Sequence, residues 1–207
     1  MICFNIFGIN FSISVGFFGI LTLMLYIDKT GLMLPTMLAI VLHEAGHIIA
    51  LSLFKSKPER IILRVGTLRI SGRFLLTKKK EIVMLLAGPL LNLFLFSALL
   101  CLYFILGNFY VLNFALVMLV VGGFNLLPII GLDGGGIIEI IFNSFLKQKA
   151  VKLLSIFISF ITIFSILVLG LFVFLDTKSN ISLILMGIYL FLGILLSKKQ
   201  KNYCKLF

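Results

Sequence analysis

The sequence predicts an all-α polytopic membrane protein of about six transmembrane helices, with a small β-hairpin at the cytoplasmic face. Three observations predict this class. Of the 207 residues, 61% are hydrophobic and only 12% are charged, and the mean hydropathy is +1.24. Several apolar runs reach the roughly 20 residues that a helix needs to cross a bilayer. The basic residues are clustered between these runs. Too little polar surface remains to cover a soluble core, which excludes a soluble enzyme, a disordered chain and a secreted disulfide scaffold.

The apolar runs predict the spans in chain order. An alternating stretch (Ile9, Phe11, Ile13) at the start of the first span predicts a short interfacial strand. After the fourth span comes a Gly-rich break and then an apolar segment, 137–146, which is too short to cross and predicts a re-entrant or interfacial helix. The predicted spans are 11–27, 32–54, 82–106, 110–127, 153–175 and 181–196.

The basic residues predict the orientation of the spans. Sixteen of the 18 Lys and Arg residues lie in three patches, at 55–80, 147–152 and 198–205. An even number of spans places these patches and both termini on one side, and the positive-inside rule makes that side the cytoplasm. Attraction to anionic lipid accounts for the net charge of +11, so we expect a multi-pass protein of the cell membrane that does not bind nucleic acid.

Residues 61–74, between the second and third spans, are rich in β-branched residues and contain Gly66 and Gly72. This composition predicts the hairpin at the cytoplasmic face, although an ordinary loop whose arginines enforce the topology fits the pattern equally well. The chain contains no linker, repeat or low-complexity tail. We therefore expect residues 1–207 to form a single membrane-embedded domain.

The chain contains two histidines, His43 and His47, with Glu44 between them in the pattern H-E-x-x-H. Residues four apart on a helix share a face, so both imidazoles can bind one metal ion, and Glu44 is placed to accept a proton from water. The alternative is a pair of buried polar residues hydrogen-bonded across helices. An acid at mid-span costs about 2.5–3.5 kcal/mol and usually marks a functional site, which favours the metal.

A catalytic zinc site needs three protein ligands and an open position. Of the seven acids, four lie in predicted loops and Glu44 is the candidate base, which leaves Asp133 and Glu139. Asp133 lies in the segment 125–136, where Pro128 removes a backbone donor and glycines let the chain turn. Irregular backbone at membrane depth is tolerated where it lines a watery cavity, which suits an active site. A helix-ending cap remains an alternative role for Asp133, and Glu139 an alternative ligand.

Three motifs, in this order, resemble the site-2 protease family of intramembrane zinc metalloproteases. They are His43-Glu-x-Gly-His47, Ala87-Gly88-Pro89-x-x-Asn92 and Asn125-x-x-Pro128-x-x-x-Leu-Asp133-Gly134. They lie within residues 32–136, the expected catalytic core. The resemblance implies one Zn²⁺ per chain, bound by His43, His47 and Asp133, with Glu44 as the general base. It also implies that Asn125 helps to hold the substrate or the developing oxyanion. For the other motif residues the resemblance implies a structural role; these are Gly88, Pro89, Asn92, Pro128 and Gly134.

The chain departs from the family pattern at Gly131, where many relatives have a second proline. We expect neither the PDZ nor the CBS domain of other branches, and the short form most resembles the stage IV sporulation protein FB type. The resemblance implies regulated intramembrane proteolysis of a membrane-protein substrate in the bilayer, such as a membrane-bound pro-sigma or anti-sigma factor in sporulation. It does not imply an oligomeric state.

Two alternatives to this function remain open. One is a zincin-type membrane metalloprotease that uses Glu139 as its third ligand. The other is a non-enzymatic metal transporter with a His/Asp site at mid-membrane. Transporters tend to have paired broken helices in two related halves, and the sequence has no such internal repeat.

Overall fold

The computed structural model describes residues 2–6, 9–13, 28, 31–55, 60–64, 67–71, 76–178 and 182–200. It divides into two compact units, Met1–Phe124 and Asn125–Phe207. In the described residues, the first unit contains four strands and three helices, and the second contains three helices. The strands are β1 (Ile2–Ile6), β2 (Ile9–Ile13), β3 (Arg60–Arg64) and β4 (Thr67–Ser71). The helices are α1 (Met33–Leu53), α2 (Lys78–Leu106), α3 (Phe109–Asn125), α4 (Asp133–Phe142), α5 (Gln148–Thr177) and α6 (Ser182–Gln200).

The four strands form one sheet in the order β1-β2-β3-β4. The outer pairs β1–β2 and β3–β4 are antiparallel, and the central pair β2–β3 is parallel, with Asn10 opposite Arg60. The strand expected at residues 9–13 is β2, and the pair β3–β4 lies where the sequence predicts a hairpin. The sheet has four strands and not two, because β1 and β2, which precede α1 in the chain, belong to the same sheet as the two strands that follow it. Its position at the cytoplasmic face remains a prediction.

Helix α1 agrees with the second predicted span, 32–54. The Asp28 carboxylate accepts hydrogen bonds from the N–H groups of Gly31 (3.1 Å) and Met33 (2.9 Å) just before and at the first turn. These are backbone donors that a helix start leaves without an intrahelical partner. The 21 residues extend about 32 Å at 1.5 Å per residue, which is enough to cross the apolar layer of a bilayer.

Helices α2 and α3 are joined by a tight turn. Gly107 adopts a φ of 63°, and its N–H donates to the Tyr103 carbonyl at 2.8 Å, which ends α2. The side-chain oxygen of Asn108 then accepts the N–H of Tyr110 at 2.9 Å and begins α3. At its other end α2 begins four residues before the predicted span. The Lys80 ammonium group there lies 5.5 Å from the centre of the Phe54 ring.

Helices α1 and α2 touch backbone to backbone. A Cβ on Gly46 would lie 2.6 Å from the Ala87 carbonyl oxygen and 2.9 Å from the Gly88 Cα. The buried residues of α2 are Gly88, Pro89 and Asn92. Helix α3 packs against the same face through Gly122, where a Cβ would lie 3.0 Å from that of Asn92. Small residues thus set the spacing of the three helices, as they do in membrane helix packing generally.

In the second unit, α4 begins at Asp133, four residues before the predicted segment 137–146. The prediction that the Gly-rich break extends to Gly136 is therefore wrong. The Gly136 N–H donates to the Leu132 carbonyl at 3.1 Å, so the glycines belong to the first helical turn. Glycine is needed there because a Cβ at Gly134 would overlap the Leu126 carbonyl, and one at Gly135 would overlap that of Ile129.

Helices α5 and α6 pack through Gly170, which lies against Ile184, and through the rings of Phe160 and Phe191, whose centroids are 5.7 Å apart in an edge-to-face arrangement. The buried face of α5 is formed largely by small residues. Its members are Val151, Ser155, Ser159, Ile163 and Gly170. These helices correspond to the fifth and sixth predicted spans.

The outer surfaces of the helices carry large apolar side chains. Phe104 and Ile105 on α2, for example, are 77% and 79% exposed. Within the described residues, three helices are long and apolar enough to cross a membrane (α1, α2 and α5), and α3 and residues 183–194 of α6 are apolar but shorter. The chain is a membrane protein, but six spans are not confirmed. Residues 14–27 of the first predicted span lie outside the described residues, and its first three residues belong to β2.

The contact between α1 and α2 predicts the effect of a methyl group at position 46. Gly46→Ala should lower the free energy of unfolding by about 1–3 kcal/mol, because the methyl group would force the two backbones apart. The measurement is equilibrium unfolding in detergent. The control is Gly123→Ala on α3, where a Cβ meets nothing within 4 Å and alanine should stabilise the helix by up to about 1 kcal/mol. Equal stability of the two variants would contradict the proposed contact.

Candidate metal centre

The two histidines lie on the buried face of α1. His43 is 4% exposed and His47 is 6% exposed, and their Nε2 atoms are 3.2 Å apart. The ring centroids are separated by 4.8 Å, with the planes nearly perpendicular. Two nitrogens that each lie 2.0–2.1 Å from one tetrahedral zinc ion are about 3.4 Å apart. The observed separation of the two Nε2 atoms therefore fits two ligands of one ion.

A backbone carbonyl of α2 orients His47. Nδ1 of His47 lies 2.7 Å from the Met84 carbonyl oxygen. A carbonyl oxygen only accepts, so Nδ1 must carry the hydrogen, and Nε2 of the neutral ring retains its lone pair. Metal-binding histidines usually donate their other N–H in this way, which fixes both the tautomer and the ring orientation. The structure thus presents Nε2 of His47 as a ligand atom.

Gly88 lets the backbone of α2 lie directly against both imidazoles. A Cβ on this residue would lie 2.5 Å from Nε2 of His47 and 2.9 Å from Nε2 of His43. No side chain can stand at this position without displacing the two rings. The glycine therefore preserves the ring positions in which the two nitrogens fit one metal ion.

Asp133 is the first residue of α4 and is partly buried. Its role as the third ligand remains a prediction. Glu139, the alternative ligand, lies six residues further along α4 and is exposed.

The remaining predicted residues lie on the expected elements. Glu44 follows His43 on α1 and is partly buried, and Asn125, also partly buried, is the last residue of α3. The roles of both remain predictions. Gly131, the departure from the family pattern, has a φ of 101°. Proline is restricted to a φ near −65°, so the loop conformation at this position excludes the proline that many relatives carry.

Sequence reasoning missed two residues near this centre. Met84 contributes only its carbonyl oxygen, so no side-chain pattern identifies it. Ser159 is fully buried on α5, and its hydroxyl accepts the N–H of Ile130 at 2.9 Å, in the loop that leads to Asp133. The spacing of Ser155 and Ser159, four residues apart in an apolar run, is the signal that would have found the latter, because polar residues of membrane helices tend to face other helices.

The comparisons with known proteins find similarity in sequence and in fold. No protein-family model matches the chain. The sequence is 28% identical, over 166 residues and 75% of this chain, to the zinc metalloprotease MJ0392 of Methanocaldococcus jannaschii, and it spans 45% of that protein's length. The fold is similar to that of the site-2 protease from Methanocaldococcus jannaschii, with a TM-score of 0.62 and 23% identity over 93% of this chain and 92% of that one. The chain thus resembles the site-2 protease family in its motifs and in its fold.

The close contact of Gly88 with the two imidazoles predicts a specific defect in metal binding. Gly88→Ala should weaken zinc affinity by roughly tenfold or more, since the added methyl group would displace both imidazoles. The measurement is zinc content and chelator competition on the purified protein in detergent. Gly123→Ala, which adds the same methyl group in open space on α3, should bind zinc as the unsubstituted protein does. Unchanged zinc affinity in Gly88→Ala would show that the ion does not lie beside this glycine.

Proposed function

We propose that this chain is an intramembrane zinc metalloprotease of the site-2 protease type, which hydrolyses a peptide bond in or near a transmembrane segment of a membrane-protein substrate. The observation that carries the proposal is the pair of buried imidazoles on α1, in which the Nε2 atoms of His43 and His47 lie 3.2 Å apart. The similarity to a zinc metalloprotease and to a site-2 protease fold supports it. We expect residues 1–207 to act as one membrane-embedded domain with its catalytic core at 32–136, although the boundary between the two compact units falls within that core.

The chain's own residues divide the work of hydrolysis. Zinc, when bound by His43, His47 and Asp133, acts as a Lewis acid and lowers the pKa of a water molecule. Glu44, next to His43, accepts a proton from the attacking water and returns it to the leaving amine. The side-chain amide of Asn125 donates a hydrogen bond to the substrate or to the developing oxyanion. The other motif glycines and prolines hold the backbones close enough for these groups to meet.

The substrate must unwind before it can be cut, because a helix binds its own carbonyls in i→i+4 hydrogen bonds. The outer strand β4 pairs with β3 on one side only within the described residues, which leaves an edge that can take up an extended segment. Strand addition at this edge would hold the unwound chain for cleavage. A membrane-bound pro-sigma factor is the substrate class that the stage IV sporulation protein FB type implies, and an anti-sigma factor is the alternative substrate.

The proposed topology places both termini, the sheet and the three basic patches in the cytoplasm. His47 lies six residues before the end of α1, about 9 Å at helical rise, and Lys55 follows that end. The metal centre would therefore lie nearer the cytoplasmic surface, from which water can enter. Cleavage would fall within or just inside the cytoplasmic half of the substrate's span.

Substitution of the base should separate catalysis from metal binding. Glu44→Gln should give a folded, zinc-loaded protein without proteolytic activity, because it removes the base and keeps the ligands. Asp133→Ala and His47→Ala should lose most of the zinc as well. Zinc content and cleavage of a co-expressed membrane substrate are the two measurements. Glu139→Gln is the matched control and should retain both, and loss of zinc in this variant would favour the alternative ligand. Metal uptake by cells that survives Glu44→Gln would favour a transporter.

The topology can be tested with single cysteines in a background that lacks the three native ones. Lys79→Cys and Lys199→Cys should resist an impermeant thiol reagent added to intact cells, because both positions lie in basic cytoplasmic patches. Asn108→Cys, in the turn between α2 and α3, should react. Permeabilised cells serve as the control, in which all three should be labelled. Labelling at position 79 by reagent added outside the cells would show that the topology is the opposite of the one proposed.

A further inference from the structure

Ser159 lies in the middle of α5 and is fully buried. Its hydroxyl oxygen accepts the N–H of Ile130 at 2.9 Å, and it lies 2.7 Å from the Ser155 carbonyl and 3.4 Å from the Pro128 carbonyl. A hydroxyl has a single hydrogen, and the nearer Ser155 carbonyl is the better acceptor for it. The bond that joins α5 to the loop at residues 126–132 is therefore the one from Ile130.

This loop is packed directly against the first turn of α4. The Ile129 carbonyl accepts the Leu132 N–H at 3.0 Å and lies so close to Gly135 that a Cβ there would overlap it. The Leu126 carbonyl lies in the same way against Gly134. Asp133 precedes these two glycines, so a shift of the loop backbone at Ile129–Ile130 must move the start of α4 and the carboxylate that it carries.

The Ser159 hydroxyl is the acceptor that the structure gives to the Ile130 N–H. A backbone N–H at membrane depth depends largely on partners within the protein, since the apolar layer supplies none. Removing the Ser159 hydroxyl would leave a partly buried donor without its acceptor, and a donor in that position drives the local backbone to rearrange. The part of the backbone free to do so is the loop, because α5 keeps its own helical bonds.

We propose that Ser159 is a positioning residue, which holds the loop at residues 126–132 and thereby fixes the Asp133 carboxylate in the metal centre. This rests on the proposed function, because it takes Asp133 as a zinc ligand. Ser159 does not touch the metal or the substrate. Its effect reaches the centre only through Asp133, and this property distinguishes it from a residue that merely stabilises α5.

The first test compares Ser159→Ala with Ser165→Ala. Ser165 lies on the same helix but is exposed, and its hydroxyl donates to the carbonyl of Ile161 at 3.0 Å. In purified protein, Ser159→Ala should weaken zinc affinity roughly tenfold and change the absorption spectrum of bound Co²⁺, which reports the number and geometry of the ligands. Ser165→Ala should change neither, and Ser159→Thr, which restores a hydroxyl, should recover both. A Ser159→Ala protein that binds zinc and cobalt as the unsubstituted protein does would overturn the proposal.

The second test places Ser159→Ala in an Asp133→Ala background. If Ser159 acts through Asp133, the double variant should bind zinc no more weakly than Asp133→Ala alone, because the group that it positions is already absent. If Ser159→Ala lowers zinc affinity equally in the unsubstituted protein and in Asp133→Ala, Ser159 has a general structural role and the proposal is overturned. This test does not depend on whether Ser159→Thr folds. If Asp133→Ala alone retains full zinc affinity, the ligand set is wrong. That result would overturn the proposed function and this inference together, whereas failure in the first test would leave the proposed function intact.

Discussion

The backbone contact between α1 and α2 is the constraint on which the metal centre depends. In lipid, apolar side chains gain little by leaving their surroundings, so helices associate through close packing and polar bonds. Here Gly46 allows α1 to approach the backbone of α2 at Ala87 and Gly88. That approach brings the Met84 carbonyl within 2.7 Å of His47. The same contact therefore holds the helices together, sets the tautomer of His47 and lays the Gly88 backbone against both imidazoles.

Large apolar side chains cover the outer surface, where a soluble protein places most of its charged residues. In the first unit the interior holds two histidines, glycines and Asn92 beside Leu51 and Met118, while phenylalanines and isoleucines face outwards. In the second unit the buried face of α5 contains Ser155 and Ser159. The bilayer offers no hydrogen-bond partner, so polar groups of this kind face other elements of the chain. Polar residues in such a chain therefore mark contacts between elements, and the most polar of them mark the site.

The sequence predicts the helices and the shared face of the two histidines well, because both depend on local spacing. The second span and α1 agree within a residue at each end, and the H-E-x-x-H spacing places both histidines on one buried face. The start of α4 could not be predicted, since its glycines are required by contact with the loop carbonyls of Leu126 and Ile129 rather than by a turn. The parallel pairing of β2 with β3 joins segments that are distant in the chain, and no local sequence pattern predicts their register. The motif at 125–134 favours Asp133 over Glu139 as a ligand, and the structure adds that Asp133 is partly buried whereas Glu139 is exposed.

The partner of His47 is a main-chain oxygen, and this affects how the centre tolerates genetic change. Every amino acid at position 84 has the same backbone carbonyl, so Met84 can be substituted without removing the hydrogen bond that orients His47. An insertion or deletion of one residue between positions 84 and 88 has the opposite effect, because it rotates one part of α2 by about 100° relative to the other. Substitution of Met84 would therefore show no effect on the orientation of His47. A change of length by one residue in the same turn would separate the Met84 carbonyl from Gly88, the glycine that faces the histidines.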